Sequence, residues 1–381
     1  MKNVILLGIT SLLTDMSSEM IYPILGLYLA YLNTPFTIIG VIEGIAESIS
    51  NLLKVFSGQF SDKFKKRKPF VIFGYSFSTI GKIFLYFSKN WPFVLISRIV
   101  DRFGKGVRTA PRDALISEST EDAKKGKIFG LHRSMDTFGA MLGVIVVYFL
   151  FLYNPEEIPF KKVFLLSILP AFLGVLILFF VKEKKKETLS FEKKISLKFY
   201  DFKYIPFVAK KYIFISVIFA LGNSSNQFLL IRAKNLGINY LTTILLYLIY
   251  NLSYTLFSYP AGFIGDKIGK KTVITVGYFI YSLVYLFFAF MKTTDFIWVL
   301  FVIYGIYIAL VEGQEKAFLS EISPSEYKAT ILGLHYTLVG FMLFPASLIA
   351  GLLWDKIGPS ATFLFGSIMS FLSSILMIIL I

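Results

Sequence analysis

The sequence contains no cysteine, which removes disulfides, thiolate nucleophiles and Cys-based metal sites from consideration. Histidine is nearly as scarce. His132 and His335 are the only two, too few for a His-rich metal centre and a poor basis for a Ser-His-Asp triad. Charge is sparse as well: 17% of the 381 residues are Asp, Glu, Lys or Arg, against about 25% in an ordinary soluble domain. No GxxxxGK[ST] run is present, so an ATP-driven pump is excluded. No nucleophile–base pair stands out, and we expect neither an enzyme nor a bound cofactor.

What replaces the polar residues is apolar. Hydrophobic residues make up 56% of the chain and mean hydropathy is +0.69. The 41 Phe and 22 Tyr suit lipid contact and interfacial belts. The apolar residues fall in blocks of about 20, the length that crosses a ~30 Å hydrocarbon core as a helix. In the first half these cover roughly 4–32, 37–61, 69–88, 90–117, 127–153 and 160–181, and in the second roughly 212–232, 239–265, 272–291, 294–320, 328–353 and 360–381. Backbone groups in lipid must be satisfied internally, and no period-two alternation suggests a barrel, so the expectation is an all-α membrane protein of twelve transmembrane helices. The run from Val4 continues through Asp15 and Glu19 to Leu32 without a small-residue cleavage site, and reads as the first span rather than a leader.

The net charge of +15 sits in short loops such as 62–68 (DKFKKRK) and 266–271 (DKIGKK), while loops 33–36 and 89–92 are nearly uncharged. By the positive-inside rule, both termini are expected in the cytoplasm and the protein in the cytoplasmic membrane. Anionic lipid, not nucleic acid, is the expected partner of these loops. One long polar segment, 182–211, carries KEKKKE. It divides the chain into a bundle over 1–181, a basic linker over 182–211 that could hold a short amphipathic helix, and a bundle over 212–381.

The halves repeat. Ala114-Leu115-Ile116-Ser117-Glu118 is echoed by Ala317-Phe318-Leu319-Ser320-Glu321, and Gly130-Leu131-His132 by Gly333-Leu334-His335, both at an offset of 203 residues. Gly58-x-x-x-Asp62-Lys63 recurs as Gly262-x-x-x-Asp266-Lys267, and Ser17-Ser18-Glu19 corresponds to Ser224-Ser225-Asn226. Six spans separate equivalent points, so the two six-helix bundles are parallel and pseudo-symmetric, an architecture that places a solute cavity at their interface.

The two G-x-x-x-D-K loops, each after the second span of its half, resemble the signature loop of the major facilitator superfamily. The likeness covers essentially the whole chain. GFIGDKIGKK at 262–271 follows the pattern closely, whereas GQFSDKFKKR at 58–67 has Lys65 where a second glycine is usual. The resemblance implies a secondary transporter working by alternating access, functional as a monomer. It also implies gating. In the family the loop aspartate pairs with a basic residue at the cytoplasmic end of the fourth span of its half, so Asp62 is expected to meet Arg112 or Arg108, and Asp266 to meet Lys316. Gly58, Lys63, Arg67, Gly262 and Lys267 complete this gating set. Arg98 would be the arginine of the fourth-span motif of proton-driven exporters, although Asp101-Arg102 stands where that motif has Gln-Gly. Gly139-x-x-x-Gly143 resembles the antiporter glycine motif with Val144 in place of its proline, or simply permits close helix packing.

Charges inside the membrane are expensive and usually face a cavity or a partner. Asp15 and Glu19, Glu43 and Glu47, and Arg98 and Arg102 are i,i+4 pairs, each sharing one helix face. With Asp101, Arg133 and Asp136 they form an expected carboxylate–guanidinium cluster in the first half. Burial favours the protonated acid and a nearby guanidinium favours the carboxylate. A solute that displaces an arginine would therefore let a carboxylate take a proton, although a static ion-pair network would use the same residues. Asn226 and Asn251 lie near the repeat equivalents of Glu19 and Glu47 and suggest neutral recognition in the second half. Gly104-Lys105-Gly106 and Pro111 interrupt the fourth span, as a kink or as an unwound binding segment. The expected function is proton-coupled efflux of a small organic molecule or drug. A divalent-cation exporter using the carboxylates, with no fixed metal, and a lipid flippase are the alternatives.

Overall fold

In a computed structural model the described residues, 2–64, 66–119, 125–154, 158–183, 205–324 and 327–381, form thirteen α-helices and no strand. The first six are α1 (Lys2–Tyr31), α2 (Phe36–Lys63), α3 (Lys68–Phe87), α4 (Trp91–Glu118), α5 (Lys125–Leu152) and α6 (Phe160–Leu178). The rest are α7 (Phe207–Gly222), α8 (Gln227–Asn235), α9 (Tyr240–Ile268), α10 (Lys270–Phe290), α11 (Ile297–Glu321), α12 (Lys328–Lys356) and α13 (Pro359–Leu380). Eleven segments are long and apolar enough to cross a membrane, with Phe207–Asn235 counted as one. The twelfth span is α4. Its charges keep it off a hydropathy criterion, yet Arg98, Arg102 and Arg108 are buried, so the polar face turns into the protein.

Local chemistry sets the turns. Asn90 accepts a hydrogen bond from the Phe93 N–H and starts α4, with Pro92 in the first turn where no donor is needed. Asn239 does the same for α9 through Thr242. Gly269 and Gly358, at φ 91° and 125°, adopt the left-handed conformations that turn α9 into α10 and α12 into α13.

Helices α1 to α6 contact one another chiefly as α3 with α4, α1 with α5 and α2 with α4, and α7 to α13 as α9 with α11 and α10 with α13. Gly139 and Gly143 press α5 onto α1 so closely that a Cβ at either would collide with the Leu12 or Met16 carbonyl. This is the packing use of that glycine pair. The two bundles meet along α2 with α12, α5 with α9, and α1 with α8.

That seam is closed at one end. There the Asp355 carboxylate accepts from the N–H groups of Phe36 (3.0 Å) and Thr37 (2.7 Å) and from the Thr37 hydroxyl (2.6 Å). Phe36 packs tilted against Trp354, and Tyr240 packs tilted against Phe151 and edge-on to Phe160. Gly40, Gly44 and Gly351 leave no room for a Cβ against the opposite bundle. Toward the other end, which carries both chain termini and is here called the open end, the helices leave more free space. A Cβ at Gly130, Gly262, Gly313 or Gly333 would meet nothing within 4 Å.

One alternative for the fourth span closes, and two expectations for the seventh change. The fourth span is not unwound at Gly104–Gly106: α4 is continuous through them and through Pro111. The glycines serve packing instead, since a Cβ at Gly104 would meet α3 at Ser78 and one at Gly106 would meet α2 at Leu53. The seventh span is not one helix over 212–232. It breaks at residues 223–226, Asn-Ser-Ser-Asn, a run whose side chains compete with the backbone for hydrogen bonds. It also begins at Phe207, inside the segment expected to be linker. The expected amphipathic helix falls on residues 184–204, outside the described residues.

Candidate functional site

A cavity of about 460 Å³ lies at the seam, midway along the helices. One wall is α1, α2, α3 and α4, and the other is the α7–α8 break with α9, α11 and α12. The first wall is charged and the second is mostly amide, hydroxyl and tyrosine.

The charged wall is a ladder. Helices α2 and α4 run in the same direction, and both carry their charges at i,i+4 spacing, so the residues match rung for rung. Arg98 binds Glu43 through two hydrogen bonds of 3.1 and 3.2 Å. One turn on, Arg102 reaches Glu47 at 3.1 Å. Asp101 lies 3.7 Å from Arg98 and 4.0 Å from Arg102, between the rungs. The rungs differ in exposure. The Glu43 and Arg98 side chains are 1% and 5% exposed, whereas the Glu47 side chain is 33% exposed. Removing one partner of a buried, hydrogen-bonded ion pair costs about 3–5 kcal/mol, so the first rung is a fixed strut. The second opens onto the cavity.

On α1, Asp15 and Glu19 both line the cavity, as their spacing requires. Glu19 accepts a hydrogen bond from the Tyr247 hydroxyl of the opposite bundle, while Asp15 has no ion pair among the described residues. Asn226 accepts from Tyr304 at 2.6 Å and faces the Tyr250 hydroxyl at 3.4 Å. Asn251 donates to the Tyr247 carbonyl of its own helix. Both asparagines line the cavity. Arg133 and Asp136 do not line it. Arg133 reaches Tyr254 across the seam at 3.4 Å, and Tyr254 donates to Glu312 at 2.7 Å. Asp136 is buried 3.4 Å from the His132 imidazole. His335 is buried and lies parallel to the Tyr212 ring.

The gating residues lie near the open end in other pairings. Asp266 meets Lys270 at 3.3 Å, and Lys270 also meets Glu321 at 3.4 Å. Lys316 instead lies over the Tyr336 ring, so the expected Asp266–Lys316 pair is not formed. The reason is reach: Lys270 is one turn from Asp266, across the Gly269 corner. The side chain of Asp62 is outside the described residues. Its expected partners are occupied, Arg108 by Ser78 and the Tyr75 ring and Arg112 by Asp113 and Ser11. Arg67 binds Ser61 and reaches Glu118 at 3.5 Å. Lys63 is exposed and Lys267 lies over Phe263. Gly58 approaches Ala110 of α4, and Gly262 has free space around it.

Sequence reasoning missed several groups. Lys82, on α3, is 2% exposed and lines the cavity; a lone lysine in an otherwise apolar span was its signal. Tyr247, Tyr250 and Tyr304 carry hydrogen bonds to the site but resemble ordinary belt aromatics in sequence. Gln227 donates to the Tyr22 carbonyl and accepts from the Gly26 N–H, engaging both groups of one α1 ladder position from the opposite bundle. Asp355 belongs to a third G-x-x-x-D-K run, Gly351 to Lys356, placed at the closed end.

Comparison with known proteins places this geometry. The family model described as Major Facilitator Superfamily matches residues 7–341 and again 212–381. An MFS-type transporter of Methanocaldococcus jannaschii is 43% identical over 383 residues, covering 99% of this chain and 94% of its own. A multidrug resistance protein, MdtH, of Baumannia cicadellinicola is 26% identical over 145 residues, 38% of this chain and 35% of its own. Among solved structures, a point mutant of the nucleoside transporter NupG superimposes with a TM-score of 0.81 at 15% identity, covering 99% of both chains. A D-xylose–proton symporter does so with a TM-score of 0.78 at 16% identity, covering 98% of this chain and 96% of its own.

Proposed function

Because this chain belongs to the major facilitator superfamily and is a multi-pass membrane transporter, we propose that it exports a small polar organic solute across the cytoplasmic membrane in exchange for protons. It does so as a monomer, by alternating access between the bundles 1–181 and 212–381. The observation that carries this reading is the unequal ladder: a buried Glu43–Arg98 strut beside a Glu47–Arg102 rung open to the cavity. A solute held by Arg102 whose donor group binds the Glu47 carboxylate competes with a proton for that carboxylate. The site then crosses loaded with solute in one direction and with a proton in the other, which exchanges the two. Asp15 and Glu19 face the same cavity and serve as further proton acceptors, with Tyr247 holding Glu19.

Basic loops at the open end support placing that end, with both termini, in the cytoplasm. On that reading the solute site faces the compartment from which an exporter loads. The broken Asp266–Lys316 pairing suits the gating role of the signature loops, since such pairs would form when this end closes. The name of the MdtH relative favours export, and the xylose–proton symporter is a case of proton coupling on this fold. The charged and amide walls favour a polar solute over a lipid tail. Among the described residues no three metal-ligating side chains converge, so the divalent-cation reading has no specific support.

The test is a solute screen in proteoliposomes loaded with a pH-reporting dye, using organic anions, zwitterions, organic cations and divalent cations. Solute-dependent proton flux from an organic class supports the proposal. Solute flux without proton movement makes the protein a uniporter or another exchanger, and a response to divalent cations alone revives the metal reading.

A further inference from the structure

Lys82 is the buried charge that the ladder does not use. Gly81 sets its place. A Cβ there would lie 2.7 Å from the Asp101 nitrogen and 2.8 Å from the Ser97 carbonyl oxygen, so α3 lies directly on α4. Ser97 ties the same point by donating to the Gly81 carbonyl at 2.7 Å. This close approach brings the Lys82 side chain between α4 and α1 to the cavity wall. Its ammonium donates to the hydroxyls of Ser17 at 2.7 Å and Ser18 at 3.1 Å. Ser17 can accept because its own proton goes to the Ser167 carbonyl. An ammonium has three donors and no acceptor. Two are used by neutral hydroxyls, and the third has no partner among the described residues.

No carboxylate comes within 4.0 Å of this ammonium among the described residues. Asp101 lines the same cavity but is turned to Arg98 and Arg102. Asp15 also lines it without an ion pair. Burying a cation with hydroxyls as its direct partners, and Asp101 and Asp15 acting only at longer range, is costly, and a binding site that keeps such a group recovers the cost when an anion arrives. Lys105 lines the cavity one turn beyond Arg102 and adds positive charge.

We propose that Lys82, with Ser17 and Ser18, is an anion subsite of the cavity that binds a carboxylate or phosphate group of the solute. This rests on the cavity being the solute site, and it narrows the solute to molecules carrying an anionic group. Two ligands share that chemistry, a soluble anion and an anionic lipid headgroup.

The experiment is ligand-dependent thermal stabilisation of the full chain in a neutral detergent. The probes are inorganic phosphate, citrate and a short-chain phosphatidylglycerol, with choline as the cationic control. Wild type is expected to be stabilised by anions and not by choline. Lys82→Gln should need about tenfold more anion for the same effect, the loss of one charge-assisted contact. Lys82→Arg should stay close to wild type. Ser18→Ala, which keeps the ammonium and removes one hydroxyl of the subsite, should weaken anion binding less than Lys82→Gln and guards against a Lys82→Gln variant that does not fold. A response to phosphate and citrate identifies a soluble anion, and a response to phosphatidylglycerol alone identifies a headgroup. Equal anion affinity in wild type and Lys82→Gln would overturn the proposal, because a lysine that only balances Asp15 and Asp101 would alter stability but not anion affinity. No anion response in wild type would overturn it too. Neither failure bears on transport, which the proteoliposome screen reads separately.

Discussion

Asp355→Asn should open the closed end. The Asp355 carboxylate accepts three hydrogen bonds from the start of α2, two from backbone N–H groups and one from Thr37. These bonds cross between the bundles, so they exist only while that end is shut. Asparagine keeps one acceptor oxygen, places an NH₂ group against a donor and removes the charge that suits a helix N-terminus. A hydrogen bond to a charged group contributes about 1.5–3 kcal/mol when sheltered, and the charge at the helix start about 0.3–1 kcal/mol. Asp355 is exposed, so water competes and we take the lower range, a loss of about 1–2 kcal/mol in all. That corresponds to roughly a five- to thirtyfold shift toward the state with this end open. The assay is pulsed electron–electron distance measurement between spin labels on cysteines placed at Lys89 and Asp295, both exposed in loops at this end. The absence of native cysteine makes labelling background-free. A longer-distance population should grow in Asp355→Asn. An unchanged distribution would refute the latch and reduce these hydrogen bonds to bystanders.

Other expectations follow from the same contacts. Gln227→Ala removes two buried bonds between α8 and α1 and should shift the same distance distribution in the same direction, nearly additively with Asp355→Asn. Glu43→Gln leaves the buried Arg98 guanidinium with only Asp101, 3.7 Å away, as counter-ion and should lower the thermal midpoint of the purified protein clearly more than Glu47→Gln, since the Glu47 side chain is 33% exposed to the cavity and the Glu43 side chain 1%. Gly139→Leu collides with the α1 backbone and should abolish folded yield on size-exclusion chromatography, whereas Gly333→Ala, with free space around it, should leave yield unchanged.

The fold was largely legible because the bilayer imposes a length and a polarity on each segment. Even α4 could be read as a span, since its charges recur at helical spacing and its apolar residues fill the opposite face. The ladder was legible for the same reason: i,i+4 spacing puts Glu43 with Glu47 and Arg98 with Arg102. What one-dimensional spacing lacks is which helix lies opposite. The pairing of Glu43 with Arg98 rather than Asp15, and the placing of Arg133 outside the cavity, depend on helix rotation and on close approaches at Gly74, Gly81 and Gly104. The break at 223–226 was missed because its polar run is short within an apolar stretch. Lys82 was missed because a single lysine carries no spacing at all. Asp266 found Lys270 because a neighbour one turn away, across a corner, outcompetes a distant partner while the end is open.

The most direct question is whether Glu47, Asp15 and Glu19 couple protons to solute. With a solute identified in proteoliposomes, flux driven by a pH gradient would be compared with solute counterflow at equal pH, for wild type and for Glu47→Gln, Asp15→Asn and Glu19→Gln. Coupling through these carboxylates predicts at least one variant that keeps counterflow and loses gradient-driven flux. Full gradient-driven flux in all three variants would contradict it and return these carboxylates to a structural role.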